Sequence, residues 1–278
     1  MIKTSATIPL QHDTPFSPFS ACKFGEGIRW VKDSGFDGVE LVVAEPEKVD
    51  AGGLNALLEG LGLEVSTLAT GQSFGLEGIS LVDGNRENRE RAVQKLFGHI
   101  DLSVRLAGRP NVTVGLLRGV GDVRKKAELM PILRETMLRC ARYAAKKQVR
   151  INFEPINRYE AALVNSTREG AEFLHSIGDP ESVGILYDTF HSNIEDADMA
   201  EAVGRYAGKI SHVHLADSNR ALPGDGHIDF AAIFRRLRES GYAGYVSLET
   251  LNLPDRESVR RRAEECLRKI RGWRSARS

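Results

Sequence analysis

Short apolar runs alternate with longer amphipathic stretches eight times along this chain of 278 residues. The apolar runs are five to seven residues long and rich in Val, Ile and Leu, which is typical of buried strands. They lie at residues 4–10, 38–43, 64–69, 111–116, 149–154, 183–188, 210–215 and 245–249. The stretches between them repeat apolar residues at helical spacing, near residues 25–34, 50–61, 86–106, 127–147, 166–177, 199–206, 230–240 and 256–273.

Eight strand–helix units in one chain favour a closed (β/α)8 TIM barrel, as a single domain over residues 1–278. No Pro/Ser-rich linker divides the sequence. The alternative is an open doubly wound sheet, which usually has a Gly-rich turn after its first strand, and here residues 11–14 (QHDT) stand in that place. Several predicted helices end close to a glycine, where we expect a left-handed helix cap. These glycines are Gly35, Gly62, Gly108, Gly208 and Gly241.

Four ionisable residues stand at or next to the ends of the last four predicted strands. They are Glu154, Asp188, His214 and Glu249, at intervals of 34, 26 and 35 residues. A strand, a crossover helix and the next strand need about 30 residues, so the four side chains are expected at the C-terminal face of the barrel. Three carboxylates packed together repel one another unless a cation holds them. The pattern therefore predicts a site for one divalent metal ion.

Two of the loops that follow these strands carry further polar residues. In residues 154–160 (EPINRYE), Glu160 is predicted to reach over the mouth of the barrel; the alternative is a polar loop with a proline turn. In residues 188–191 (DTFH), Asp188 is predicted to bind the metal and His191 the substrate. The alternative is that Asp188 or Thr189 caps a helix.

The seventh strand ends in residues 212–214 (HVH), which point both imidazoles into the barrel. His214 is the predicted metal ligand. His212 lies one layer deeper and either supports the ligand His214 or fills the interior of the barrel. The alternative is an ordinary core role, which is more common for a lone inward histidine. Arg220, in the long loop over residues 216–229, could donate to substrate oxygens, unless the loop is only turn-rich. Arg118 follows the fourth strand and could also reach the mouth, or lie on the surface.

Composition excludes several classes of protein. The chain has 38 basic and 38 acidic residues, so no charge excess favours nucleic acid or an anionic membrane. Its three cysteines, Cys22, Cys140 and Cys266, are far apart and match neither a disulfide framework nor a thiolate metal site. No apolar signal segment or membrane span is evident. We therefore expect a cytoplasmic protein that binds a small molecule.

The motifs together resemble those of xylose isomerase-like TIM barrels, the sugar isomerase/epimerase superfamily. The closest resemblance is to ketose 3-epimerases of the D-tagatose/D-psicose type. The segments that carry it are 154–160 (EPINRYE), 188–195 (DTFHSNIE), 212–220 (HVHLADSNR), 223–230 (PGDGHIDF) and 247–249 (SLE). The order of strands extends the resemblance over the rest of the barrel.

The resemblance implies a role for each matching residue. Glu154, Asp188, His214 and Glu249 would bind one Mn²⁺-like ion, with Mg²⁺ or Co²⁺ as alternatives. Glu154 and Glu249 would also act as the paired acid and base. The remaining matches, which would hold the O1/O2 end of the substrate, are Glu160, His191 and Arg220. Relatives are often dimers or tetramers, which implies a homo-oligomer.

The N-terminal half departs from the well-known psicose epimerases. Residues 69–74 (ATGQSF) and 115–119 (GLLRG) resemble a branch that includes 5-keto-L-gluconate epimerase, which acts on acidic keto-sugars. That branch adds Gln72 and Arg118 as candidate substrate-binding residues, with Arg118 facing a substrate carboxylate. The substrate is thus a free keto-sugar or a keto-sugar acid.

The expected reaction inverts C3 of the substrate through an enediolate. Two bases on opposite sides of the sugar, Glu154 and Glu249, would remove and return the proton, while the metal stabilises the negative charge. An aldose–ketose, hydroxypyruvate-type or inosose dehydratase-like enzyme remains an alternative on the same site. An apurinic-site endonuclease would need extra histidines where residues 42–43 (VV) and 70–71 (TG) stand. A non-catalytic binding protein is the last alternative.

Overall fold

Eight parallel strands form a closed barrel in the computed structural model, which describes residues 1–276. The strands are β1 (Lys3–Pro9), β2 (Gly38–Val42), β3 (Glu64–Ala69), β4 (Asn111–Val114), β5 (Ile151–Phe153), β6 (Val183–Asp188), β7 (Ile210–Leu215) and β8 (Tyr245–Leu248). Each strand pairs with the next in sequence, and β8 pairs with β1 through Thr4 and Val246 to close the barrel. The prediction of a single-domain (β/α)8 barrel is confirmed.

Ten α-helices surround or cap the barrel within the described residues. They are α1 (Phe24–Ser34), α2 (Ala51–Leu61), α3 (Gly71–Glu77), α4 (Arg86–Arg105), α5 (Lys126–Lys147), α6 (Thr167–Ser176), α7 (Thr189–Glu195), α8 (Met199–Tyr206), α9 (Phe230–Glu239) and α10 (Arg256–Ser275). The eight predicted helices are present. The two that the sequence did not predict, α3 and α7, are seven residues long and directly follow β3 and β6. Helices of two turns are too short to show a clear apolar period.

Some element ends differ from the predicted ones. β5 covers only Ile151–Phe153, so Glu154 lies one residue beyond it, and Glu249 lies one residue beyond β8. Hydrogen bonds nevertheless continue past both ends, from Glu154 N to Val114 O at 3.1 Å and from Glu249 N to Leu215 O at 3.3 Å. Both glutamates therefore keep the register of a strand and remain at the C-terminal face.

Three of the five glycine predictions hold. Gly35 and Gly62 cap α1 and α2 in the left-handed conformation, at φ 87° and 62°. Gly241, with φ 75°, ends α9 by donating to Arg238 O. Gly108 has positive φ but lies three residues beyond α4, whose cap is the extended Leu106, so it does not cap that helix. The prediction for Gly208 is wrong, because it lies in a short 3-10 turn, Ala207–Lys209, that leads directly into β7.

The main core lies between the barrel and the helices. The last helix, α10, packs one apolar face on this core: Val259, Ala263 and Leu267 are buried, and Trp273 stacks on Phe230 with ring centroids 5.0 Å apart. Within residues 1–276, every helix is too short or too polar to cross a membrane. With the outer layer apolar, polar side chains accumulate inside the barrel and at its mouth.

Candidate active site

Glu154, Asp188, His214 and Glu249 meet at the C-terminal end of the barrel. One potential ligand atom from each lies within 4.8 Å of the others, and we call these residues the quartet. Nδ1 of His214 is 3.7 Å from Glu154 Oε1, 3.8 Å from Asp188 Oδ2 and 3.5 Å from Glu249 Oε2. Three of the four residues are buried, and the Glu249 side chain is 16% exposed. The structure thus brings together the residues that the strand ends predicted.

Two buried atoms of the quartet have no hydrogen-bond partner among the described residues. Asp188 uses Oδ1 to accept from the backbone N–H groups of Phe190 and His191, at 2.7 and 3.2 Å, and so caps α7. Its Oδ2 is unpartnered, as is Nδ1 of His214. Buried polar atoms are rarely left unpaired, and a carboxylate oxygen and an imidazole nitrogen that face one another fit a metal ion. Asp188 therefore serves as a helix cap and remains available as a ligand.

Burial and neighbouring charges separate the titration of the carboxylates. Burial raises the pKa of Glu154, and the nearby charge of Glu249 adds to this effect. Burial also disfavours ionised Asp188, but the adjacent His191, His214 and Arg220 outweigh it and lower its pKa. Glu154 thus accepts a proton more readily than Asp188 does, which is the property expected of an acid/base group.

Glu40 on β2 is a site residue that the sequence analysis missed. It is fully buried inside the barrel, and both its carboxylate oxygens lie 3.1 Å from Nε2 of His214. Its Oε2 is also 3.3 Å from Nε2 of His212. Burial alone would raise the pKa of Glu40, but the two imidazoles lower it. A glutamate in the middle of the apolar run 38–42 (GVELV) was the available signal, because glutamate is rarely fully buried without a partner.

Asn157, in the loop after β5, was also missed. It is buried, and its Nδ2 donates to Nδ1 of His191 at 2.7 Å and to Oε1 of Glu160 at 2.9 Å. With Nδ1 of His191 accepting this bond, the ring proton is on Nε2, which lies 3.8 Å from Glu154 Oε1. Asn157 thereby orients two substrate-binding candidates, Glu160 in its own loop and His191 on α7.

Arg220 is held at the mouth by two acidic residues and two aromatic rings. Its Nη1 is 3.1 Å from Glu160 Oε1 and its Nη2 is 3.2 Å from Glu249 Oε2. The guanidinium carbon lies 4.6 Å from the ring centroids of both Phe16 and Phe190. This packing fixes a side chain that is otherwise flexible, so its donors face the quartet.

The loop that carries Arg220 is shaped by Asp217. Both carboxylate oxygens of Asp217 accept backbone N–H groups, from Ser218 at 2.8 Å, Gly224 at 2.7 Å and Ile228 at 3.2 Å. A β-carbon at Gly226 would collide with the same carboxylate, which explains the glycine there. The loop is therefore an ordered support for Arg220.

A cavity of about 410 Å³ opens above the quartet. The charged and histidine side chains of its lining include Glu154, Glu160, His191, His214, Arg220 and Glu249. Other lining residues include Thr7, His12, Asp13, Phe16, Thr70, Gln72, Leu76 and Thr113. Gln72, at the start of α3, donates through Nε2 to the carbonyl oxygens of His12 and Asp13, at 2.5 and 3.2 Å. Its Oε1 has no partner among the described residues.

Arg118 does not line this cavity. It is fully buried; its Nη1 donates to Val164 O at 3.0 Å, and its guanidinium lies 5.3 Å from the Phe153 ring. Burial lowers its pKa to about 10, although Glu154 and Glu169 oppose the shift. The geometry gives no support to the prediction that Arg118 faces a substrate carboxylate. Arg118 instead ties the loop after β4 to the loop after β5, where Val164 has a φ of 31°.

Comparisons with known proteins identify a family and similar enzymes. The family model described as xylose isomerase-like TIM barrel matches residues 28–270. An L-ribulose 3-epimerase from Mesorhizobium japonicum is 34% identical over 225 residues, which are 80% of this chain and 73% of the relative. A 3-dehydro-D-guloside 4-epimerase from Escherichia coli is 28% identical over 236 residues, covering 81% and 86% of the two chains.

A solved structure of an L-ribulose 3-epimerase superposes on this chain with a TM-score of 0.83 at 27% identity, and the match covers 99% of this chain and 95% of the other. The chain belongs to the xylose isomerase-like TIM barrel family, and its enzyme class, in common with these relatives, is carbohydrate epimerase.

Proposed function

We propose that this enzyme is a metal-dependent epimerase that inverts C3 of a free keto-sugar. The observation that carries the proposal is the quartet, in which the buried Glu154 and the partly exposed Glu249 share one site with an aspartate and an imidazole whose facing atoms are unpartnered. Relatives named L-ribulose 3-epimerase and ketose 3-epimerase support the choice of C3.

The quartet would hold one divalent ion. Three carboxylates and one imidazole form an oxygen-rich set that suits Mn²⁺, with Mg²⁺ and Co²⁺ as alternatives. When bound, such an ion would act as a Lewis acid that stabilises negative charge on substrate oxygens. Thiolate ligands are not involved, because Cys140 and Cys266 are buried outside the quartet and Cys22 is exposed.

Glu154 and Glu249 would carry out the proton transfers. One glutamate, ionised, takes the proton from C3, and the substrate becomes an enediolate. The other, protonated at that moment, delivers its proton to the opposite face of C3, which leaves the inverted ketose. The raised pKa of Glu154, caused by its burial, suits this residue to hold a proton for transfer.

Three further residues would bind the reacting end of the sugar. Arg220 and His191 present N–H donors beside the quartet, and Glu160, anchored by Asn157 and Arg220, can accept from a hydroxyl group. Donors aimed at the carbonyl oxygen stabilise the charge that develops there. Gln72 also lines the cavity, and its unpartnered Oε1 would accept from another hydroxyl group.

The charges of the cavity favour a neutral keto-sugar over a keto-sugar acid. Among the described lining residues, Arg220 is the one Arg or Lys, and it already faces two glutamates. Asp13, Glu160 and the three carboxylates of the quartet exceed the combined charge of Arg220 and a divalent ion, and they still do so when one glutamate of the quartet is protonated. A substrate carboxylate would therefore meet like charge and find no free cation, because Arg118 lies outside the cavity.

Proton exchange in D₂O tests the proposal. Metal-stripped and Mn²⁺-loaded enzyme would be incubated with D-fructose, D-tagatose, D-psicose, L-ribulose, D-tagaturonate and 5-keto-L-gluconate and followed by NMR. We expect metal-dependent deuterium at C3 of neutral ketoses together with the 3-epimer. Exchange at C1 with formation of an aldose would instead establish an isomerase. Stoichiometric metal with no exchange at any carbon would refute the proposed epimerisation of these sugars.

A further inference from the structure

Glu40 is a buried carboxylate to which the proposed reaction gives no role. It lies in the middle of β2, and its hydrogen-bond and ion-pair partners within residues 1–276 are the imidazoles of His212 and His214. All three residues are at most 1% exposed. An ionised carboxylate can only accept hydrogen bonds, so each imidazole must present an N–H group to it.

This contact determines which nitrogen of His214 faces the quartet. Nε2 of His214 is 3.1 Å from both oxygens of Glu40, whereas Nδ1, on the other side of the ring, points to the three carboxylates of the quartet. With the ring proton held on Nε2 by Glu40, the lone pair of Nδ1 is free. A metal ion requires this lone pair, and a carboxylate on the distal nitrogen both fixes the ring and makes it a stronger ligand.

His212 fixes Glu40 in turn. Its Nε2 lies 3.3 Å from Oε2 of Glu40, and its ring stands edge-on to that of His214, with centroids 5.4 Å apart at 84°. Two donors from residues two positions apart on β7 thus hold one carboxylate of β2 across the barrel. His212 and Glu40 would limit rotation of the His214 ring before any ion arrives.

We propose that Glu40 is a positioning residue that holds His214 with Nδ1 directed at the metal ion, and that His212 locks Glu40 in place. This inference rests on the proposed metal site and assigns it a support on β2. An alternative use of the same residues is a second ion held by Glu40, His212 and His214, whose potential ligand atoms also lie within 4.8 Å of one another. Direct nitrogen–oxygen contacts of 3.1–3.3 Å favour hydrogen bonds over that arrangement.

The test compares Mn²⁺ binding to metal-stripped wild type, Glu40→Gln and the control Glu64→Gln, by calorimetry and by Mn²⁺ electron paramagnetic resonance. Glu64 lies at the exposed start of β3 and pairs with Lys3, so its variant controls for loss of one carboxylate. We expect one ion per chain in the wild type and control, and affinity about 10–100-fold weaker in Glu40→Gln. Equal affinity in all three proteins would overturn the inference and leave the metal site intact.

A measurement on the wild type guards against misfolding of the variant. In protein loaded with diamagnetic Zn²⁺, long-range ¹H–¹⁵N spectra should show His214 protonated at Nε2 and metal-bound at Nδ1. The opposite arrangement, or two ions per chain with Glu40 as a ligand, would overturn the inference. Absence of any bound ion in the wild type would remove the proposed function as well, so the two failures are distinguishable.

Discussion

Two groups of polar residues meet on β5 and just beyond its end, and they differ in whether their hydrogen-bonding atoms are paired. Asn152, two residues before Glu154, accepts from Asn111 Nδ2 and Ser211 Oγ at 3.0 and 2.7 Å, and donates to Thr67 and Thr113 Oγ1 at 3.2 and 3.3 Å. We call these five residues the Asn152 cluster. Every hydrogen-bonding position of the Asn152 amide is used, and the cluster carries no charge.

The quartet above it is charged and incomplete. Asp188 Oδ2 and His214 Nδ1 are buried without partners, and like charges are crowded together. An arrangement of this kind is costly for a protein on its own, since each buried unpaired group costs about 1–3 kcal/mol. Polar burial alone is therefore no sign of function; the quartet differs from the Asn152 cluster because it combines crowded charges with unpartnered ligand atoms that face one another.

The largest expected effect comes from the acid/base pair of the quartet. Glu154→Gln and Glu249→Gln each keep the shape of the side chain but remove a proton acceptor, so turnover should fall by at least about 10²–10⁴-fold. Near-UV circular dichroism should show an intact fold in both variants. Near-wild-type turnover in either variant would show that the two-base scheme is wrong.

Removal of the metal ion should have the next largest effect. Dialysis against EDTA should abolish epimerisation, and added Mn²⁺ should restore it. Because an ion binds the folded chain only, saturation at about 100 times its dissociation constant should raise the free energy of unfolding by about 2.7 kcal/mol. Denaturant titration with and without Mn²⁺ measures this difference. Full activity after verified removal of metal would be incompatible with the proposed role of the quartet.

A substitution in the Asn152 cluster should lower stability and leave turnover almost unchanged, which is the reverse of the effect expected in the quartet. Asn152→Ala leaves buried hydroxyl and amide groups without partners, so the free energy of unfolding should fall by at least about 1–3 kcal/mol. Turnover per folded molecule should change little, because Asn152 does not line the cavity. Urea titration and a rate normalised to folded protein measure the two quantities. A stable but inactive Asn152→Ala variant would contradict the distinction between a structural Asn152 cluster and a functional quartet.

The smallest effect is expected from substitution of Arg118, which should not alter the choice between neutral and acidic substrates. Arg118→Met removes the charge but keeps an apolar stem, and the ratio of kcat/KM for L-ribulose to that for 5-keto-L-gluconate should not change. If Arg118 did contact a substrate carboxylate, the lost charged hydrogen bond, about 1.5–3 kcal/mol, would shift this ratio by at least about tenfold. The control is Arg124→Met, on an exposed residue that pairs with Asp122 in the same loop.

The regular parts of the fold were predictable from the sequence because they repeat. Eight apolar runs at near-constant intervals define a barrel, and the same spacing placed Glu154, Asp188, His214 and Glu249 at one end. The short helices α3 and α7 were not predicted because two turns are too short to show a clear apolar period. Asp188 also shows why a local motif can mislead, since capping a helix and offering a ligand atom are compatible in one carboxylate.

The residues that support the site were harder to find. Glu40 acts on His214 from a strand 174 positions away in sequence, and Asn157 acts through bonds that depend on the fold of one loop. Arg118 shows the reverse difficulty, because its position after β4 suggested the mouth, whereas its side chain is buried and donates to Val164 O. Side-chain direction beyond a strand end is set by tertiary packing and not by spacing. The domain limits, the cytoplasmic location and the oligomeric state stay predictions.

The most direct test is a crystal structure of the Mn²⁺-loaded enzyme, with anomalous diffraction to locate the ion. We predict one anomalous peak per chain, coordinated by Glu154, Asp188 Oδ2, His214 Nδ1 and Glu249, with Nε2 of His214 still bonded to Glu40. No peak at the quartet, or a peak bound by Glu40 and His212 instead, would contradict the account.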